Sequence, residues 1–148
     1  MSDAKLTQDE ARALIEMVKR SLIAEIAFPT RGNHVDFDVV GDTKQDTFAI
    51  NIYRAKIQPR KYNLSARIKK KGILLLELHI NPTTVHQNPD GQKIKGSHWH
   101  IYDEKYGRAF AFPAGNIEAD KFVDNTIDFL IKFNVIQRPN ILYQEELT

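Results

Sequence analysis

From His34 to Ile80 the chain alternates apolar and polar side chains in four successive segments. That period of two is the strongest constraint on its fold, because it is the spacing of a strand with one buried face. In His34–Val40, Val35, Phe37 and Val39 alternate with His34, Asp36 and Asp38. In Thr47–Tyr53, Phe48, Ile50 and Ile52 alternate with Thr47, Ala49, Asn51 and Tyr53. In Tyr62–Lys69 the apolar side is Tyr62, Leu64, Ala66 and Ile68, and the polar side is Asn63, Ser65, Arg67 and Lys69. In Ile73–Ile80, Leu74, Leu76, Leu78 and Ile80 take the core side and leave Glu77 and His79 opposite. Gly41-Asp42, Gln58-Pro59 and Lys71-Gly72 supply turns between them. Short connections between alternating segments predict antiparallel strands, dry on one face and wet on the other.

A helix is expected before these strands and another after them. Thr7-Gln8-Asp9-Glu10 has the form of a capping box, and Ala11, Leu14, Ile15, Val18 and Leu22 follow at helical spacing. This predicts a helix from about Gln8 to Ala24. Asn116 is positioned to cap a closing helix to about Asn134, with a stripe of Val123, Ile127, Leu130 and Ile131 widened by Phe122, Phe129 and Phe133. Two further strands, His98–Tyr102 and Arg108–Phe112, complete the sheet. Between Asn81 and Gly96 runs a long connection containing the turn signature Asn88-Pro89-Asp90-Gly91. A loop of that length without secondary structure is often functional. The 148 residues therefore read as one domain, residues 1–148, of the α+β class. Its plan is a mostly antiparallel sheet of about six strands, with N- and C-terminal helices packed on one face.

The chemistry concentrates in Gly96-Ser97-His98-Trp99-His100-Ile101-Tyr102. On a strand, His98, His100 and Tyr102 share one face, and Trp99 and Ile101 the other. The predicted wet face of the sheet then carries Tyr53, Asn63, Arg67, Lys69, Glu77 and His79 beside them. Positive charge is dense from Arg54 to Lys71, including Lys61, with no acid in that run. The whole chain is nevertheless close to neutral, at a formal +2. The total alone does not point to nucleic acid, but the distribution does. The chain has no cysteine, which excludes disulfides, thiolate zinc sites and thiol nucleophiles and fits a reducing cytoplasm. No apolar run approaches the ~20 residues that cross a bilayer, and the polar N-terminus lacks a signal-peptide core.

Imidazoles, phenols and cations on one pleated surface suit metal-independent RNA cleavage. A base takes the ribose 2′-hydroxyl proton, an acid protonates the leaving oxygen, and a cation stabilises the phosphate. His98, His100, Tyr102, Arg67 and Lys69 are the candidate catalytic residues, needing no cofactor. Tyr53, Arg54, Lys61, Asn63, His79 and His86 are the candidate RNA contacts. The competing chemistry is a metal site, since His98 and His100 at i, i+2 can ligate one ion, with His86 or His79 as a third ligand. The plain alternative is a solvated sheet face. Lone strand histidines are more often surface residues than catalysts, and Arg67 and Lys69 can serve simply to discourage edge pairing.

The segments His86-Gln87-Asn88-Pro89-Asp90-Gly91, Gly96 to Tyr102, Tyr106-Gly107 and Ile127-Asp128-Phe129-Leu130 resemble an uncharacterised family of small bacterial and phage proteins. A narrower resemblance is to the TumE-type toxins of toxin–antitoxin pairs, through the Gly-x-His-x-His segment and a last helix containing Asp-Phe-Leu. It implies a small sheet and places His98 and His100 in that motif. The chain is longer than those toxins and carries an extra first helix and the His86–Gly91 loop. Together these readings imply a toxin-like endoribonuclease of the cytoplasm, with RNA and an antitoxin as partners. The alternatives are a phage or mobile-element protein that binds nucleic acid or inhibits a host defence protein, and a metal-binding hydrolase.

Overall fold

Thr7 begins the first helix as its sequence requires: its hydroxyl accepts from the Glu10 N–H, and the Glu10 carboxylate accepts from the Thr7 N–H. A computed structural model describes residues 5–58, 60–115 and 117–143. Pro59, Asn116 and the C-terminal residues from 144 lie outside the described residues. Helix α1 spans Gln8–Glu16 and is followed by strands β1 (Lys19–Ser21), β2 (Glu25–Ala27), β3 (His34–Val40), β4 (Thr47–Arg54), β5 (Tyr62–Ile68) and β6 (Leu74–Ile80). Then come β7 (Val85–Gln87), β8 (Lys93–Lys95), β9 (His98–Ile101), β10 (Ala111–Pro113), helix α2 (Phe122–Lys132), β11 (Val135–Gln137) and β12 (Asn140–Leu142).

The main sheet has eight strands rather than about six, in the order β10-β9-β6-β5-β4-β3-β1-β11. All its pairings are antiparallel except β1 with β11. Two small sheets, β12-β2 and β7-β8, complete the fold. Phe37, Val39, Phe48, Ile50, Ile52, Leu64, Leu76 and Leu78 lie buried in one cluster with Ala11 of α1 and Phe122, Phe129 and Leu130 of α2. Trp99 stacks on Phe129 with the rings nearly parallel, at 6.1 Å. None of the helices is long and apolar enough to cross a membrane.

Three expectations change. The first helix stops at Glu16, not near Ala24. The Lys19 side chain is fully buried, and its ammonium donates to the carbonyls of Ile15, Met17 and Phe133, each at 2.8 Å. One cation thus satisfies carbonyls at the ends of both helices, and it lies 3.8 Å from the centre of the Phe133 ring. Val18 and Leu22, read as core residues, are exposed. Helix α2 starts at Phe122, and Ile131 points to solvent while Asn125 and Thr126 are buried. The Asn125 amide donates to the Tyr62 hydroxyl and the Glu118 carbonyl. In β6 the alternation slips by one residue: Ala66 pairs with Leu76 but Arg67 with Leu74, so Leu75 forms a bulge. Leu75 joins the core in place of the expected Leu74.

Lys19 makes this arrangement sensitive to pH. Burial pushes its pKa down from 10.5 to about 7. Between those values the unfolded chain holds a proton that the native chain releases, so this group's contribution to stability rises with pH across that window. Lys19→Met is expected to cost about 2–4 kcal/mol by stranding buried carbonyls and to abolish that rise. Urea unfolding from pH 6 to 10.5 checks both effects.

Candidate functional site

Strand β6 lies between β5 and β9, and their registers write the site. Asn63 pairs with His79, and His79 with His98; in the next row, Ser65 pairs with Glu77, and Glu77 with His100. Residues paired across strands share a face, so His79, His98, His100 and Glu77 stand together opposite the apolar core. The ring centres of His79, His98 and His100 lie 4.7–5.2 Å apart.

The expected long loop is in fact the hairpin β7–β8, and it adds a fourth imidazole. Pro89 and Asp90 form its turn, with the Gly91 N–H donating to the Asn88 carbonyl at 2.8 Å. Gly91 then takes φ +90°, a conformation that favours glycine. The buried Asn88 side chain fastens the hairpin to β10: its amide donates to the Ala111 carbonyl at 3.0 Å and its oxygen accepts from the Ala111 N–H at 2.7 Å. So held, His86 lies 5.4 Å from His98 and 5.1 Å from His100, ring centre to ring centre.

Each ring has one nitrogen fixed by an oxygen. His98 Nδ1 donates to the Gly96 carbonyl at 2.9 Å, and His100 Nδ1 to the Phe110 carbonyl at 3.2 Å. His86 Nε2 donates to the Ala109 carbonyl at 2.9 Å, and His79 Nε2 to Glu77 Oε1 at 3.1 Å. A carbonyl or carboxylate oxygen only accepts, which settles the N–H position on each ring. The opposite nitrogen of each neutral ring keeps its lone pair. One ring nitrogen each from His79, His98 and His100 lies within 4.8 Å of the others, a spacing suited to a metal ion.

The electrostatics favour the neutral form of His98 and His100. Burial, then the neighbouring imidazoles, lower the His100 pKa to about 4, and burial leads the lowering at His98. Glu77 behaves in the opposite way. Burial raises its pKa, but hydrogen bonds from His79 and Arg108, reinforced by their charge, outweigh burial and bring it to about 2. Arg108 binds both carboxylate oxygens, through Nε at 2.6 Å and a terminal nitrogen at 2.7 Å. The cleft above has a volume of about 440 Å³. Lys61, Asn63 and Arg108 line it with the four histidines, and no carboxylate does so.

The cleft gathers six of the residues singled out from sequence: His98, His100, His79, His86, Asn63 and Lys61. The others lie elsewhere. Arg67 and Lys69 stand four and six residues beyond Asn63, roughly 13 and 20 Å along the strand direction at ~3.3 Å per residue. Lys69 is ion-paired with Asp38 and lines a separate groove with Leu22 and Val40. Neither Arg67 nor Lys69 lines the cleft with the imidazoles. Tyr102 follows the end of β9, beside the bulged Leu75, whose carbonyl accepts its N–H. It packs against the core and donates its hydroxyl to the Leu6 carbonyl at 2.8 Å, away from the histidines. Arg54, expected at an RNA surface, is buried with its guanidinium 4.4 Å from the Phe122 ring centre. Its parity already said so, because Arg54 falls on the side of Phe48, Ile50 and Ile52. Tyr53 stays on the wet face, exposed, paired with Asn63.

Sequence reasoning placed Glu77 on the wet face and Asn88 in a turn but gave neither them nor Arg108 a part in the site. A signal existed for Glu77, a carboxylate between two core leucines that needs a charged partner. For Arg108 and Asn88 none did, because their partners are set by tertiary contact.

The chain belongs to DUF6978, a family of unknown function, which matches residues 6–135. No curated protein and no solved structure matches it.

Asn88→Ala removes two buried hydrogen bonds. It is expected to destabilise the protein by ~1–3 kcal/mol and to release His86 from the cluster. Urea denaturation and the imidazole NMR resonances of His86 report the two effects, and an unshifted His86 would show that the hairpin is held by something else.

Proposed function

We propose that this chain is a metal-dependent hydrolase of anionic esters, with His79, His98 and His100 as ligands of a zinc-type divalent ion. One observation carries the reading: each of the four clustered imidazoles has one N–H fixed by a backbone carbonyl or a carboxylate. Metal-ligating histidines are oriented in this way, and the Glu77–His79 pair has the form of a carboxylate–histidine–metal relay. Three imidazole donors with room beside them suit a catalytic rather than a closed structural centre. The ion supplies Lewis acidity and lowers the pKa of water.

The chain's own residues do the rest. Glu77 holds the His79 ring and strengthens it as a donor, while Arg108 keeps Glu77 ionised. His86, its ring centre 5.4 and 5.1 Å from those of His98 and His100, would serve as the base toward a water held there. Lys61, at the rim, draws in the negatively charged substrate. The absence of a carboxylate from the cleft lining favours an anion over a cationic or neutral substrate.

A second reading uses the same histidines to cut RNA without metal. The likeness to TumE-type toxins and the open imidazole cleft favour it. Against it stand His100, which is too weakly basic to carry a proton at neutral pH, and the separation of Arg67 and Lys69 from the rings.

Purified protein is expected to bind about one zinc ion per chain by elemental analysis. His98→Ala and His100→Ala should lose it while circular dichroism stays unchanged. Glu77→Gln is expected to weaken zinc binding ~10–100-fold. His86→Ala should retain the ion and lose ~10²–10⁴ in rate. Cleavage of a phosphodiester that a chelator abolishes and zinc restores fits the metal reading. Chelator-resistant cleavage of RNA, with growth arrest on expression that His98→Ala relieves, would replace it with the second.

A further inference from the structure

The registers of five strands place one row of side chains directly across the sheet: His34, Tyr53, Asn63, His79 and His98. Two members of this row belong to the histidine cluster. The other three continue it across β5, β4 and β3 on the same face. Tyr53 is 44% exposed, and the His34 side chain is 61% exposed. An aromatic ring open to solvent on a sheet, two strands from His79 and therefore about 10 Å away, adds nothing to the core. Its register puts it in line with the cleft.

The charge around this row has one sign at one end. The connection from β4 to β5 carries Lys56, Arg60 and Lys61, all exposed, and contains no acid. Lys61 belongs to both the connection and the cleft lining. Two carboxylates of the face lie one row away: Glu77, buried and bound by Arg108 and His79, and Asp36, which accepts from the Asn51 amide at 2.6 Å and lies 3.7 Å from His34. Cations beside an exposed aromatic, in line with a hydrolytic centre, are the elements that hold a phosphodiester strand. The cations bind phosphates, and the ring stacks a base.

We infer that His34, Tyr53 and Asn63 form a stacking platform for single-stranded nucleic acid, which lays one base on Tyr53 and presents a neighbouring phosphate to the histidine cluster. This rests on the hydrolase reading above for its chemistry, though not for its binding. A single strand is required because duplex bases are already stacked on one another and offer no face to Tyr53. The Asn63 amide, between Tyr53 and His79, is placed to hydrogen-bond a base edge or sugar hydroxyl along the way.

Binding of fluorescein-labelled 12-mers of oligo-U and oligo-dT to the full chain, measured by anisotropy at fixed salt, tests this. Both should bind, and their relative affinity tells RNA from DNA. Tyr53→Ala is expected to weaken binding about tenfold, and Tyr53→Trp to restore it, since stacking needs a ring and not a hydroxyl. A duplex of matching length should bind at least tenfold more weakly. Equal binding of duplex and single strand, or Tyr53→Ala within twofold of wild type, overturns the platform. Zinc content is measured on the same samples. Loss of the platform with zinc still bound leaves the hydrolase reading standing, whereas Tyr53-dependent binding without zinc removes the metal and keeps the platform.

Discussion

A single buried carboxylate organises this molecule's chemistry. Glu77 lies in the centre of the main sheet between Leu76 and Leu78, only 5% exposed. An ionised carboxylate there is costly unless it is paired and hydrogen-bonded. Three N–H donors meet it, two from Arg108 and one from His79. The pairing constrains both partners. It fixes the tautomer of His79, and it ties Arg108, from the connection between β9 and β10, down onto β6. That connection also supplies the carbonyls of Ala109 and Phe110 that fix His86 and His100. Removal of Glu77 would therefore leave His79 free to rotate and Arg108 without its anchor.

Buried polar side chains do the joining elsewhere as well. Asn88 stands in for a strand and pairs with both backbone groups of Ala111. Lys19 replaces a helical turn with a cap shared by two helices. Each is a polar group that a core excludes unless every donor or acceptor has a partner, and among the described residues no buried side-chain nitrogen or oxygen lacks one. The apolar face stabilises the fold without specifying where the helices stop or where the hairpin docks. These polar contacts specify both.

The central strands were legible because alternation over seven or eight residues admits few other readings, and β3 to β6 fall within a residue or two of expectation. Strands of three residues, such as β1, β2, β11 and β12, are too short to show a period, and they form because neighbouring backbone is available to pair. The helix read through Val18 and Leu22 failed because Lys19 turns back onto the carbonyls of Ile15 and Met17 and reaches that of Phe133 at the end of α2, a tertiary contact that outweighs helical spacing. The His98–His100 pair was visible in one segment, and its meeting with His79 followed from strand order. His86 was visible only as a loop residue, since its position depends on Asn88 docking against β10. Arg67 and Lys69 misled for a simpler reason. Sharing a face is not sharing a place, and a strand separates residues along its length as surely as it aligns them across it.

The cost of the histidine cluster argues for what it holds. Burial, and then the neighbouring imidazoles, lower the pKa of His98 and His100, so these two rings resist the protonation that would make them acids. Three of the four donor nitrogens meet backbone carbonyls and the fourth meets the Glu77 carboxylate. One ring nitrogen each from His79, His98 and His100 lies within 4.8 Å of the others, and the unprotonated nitrogen of a neutral ring has only acceptor character to offer. A proton satisfies one such nitrogen. A divalent cation of the kind proposed above would engage three imidazoles at once, which a proton cannot do.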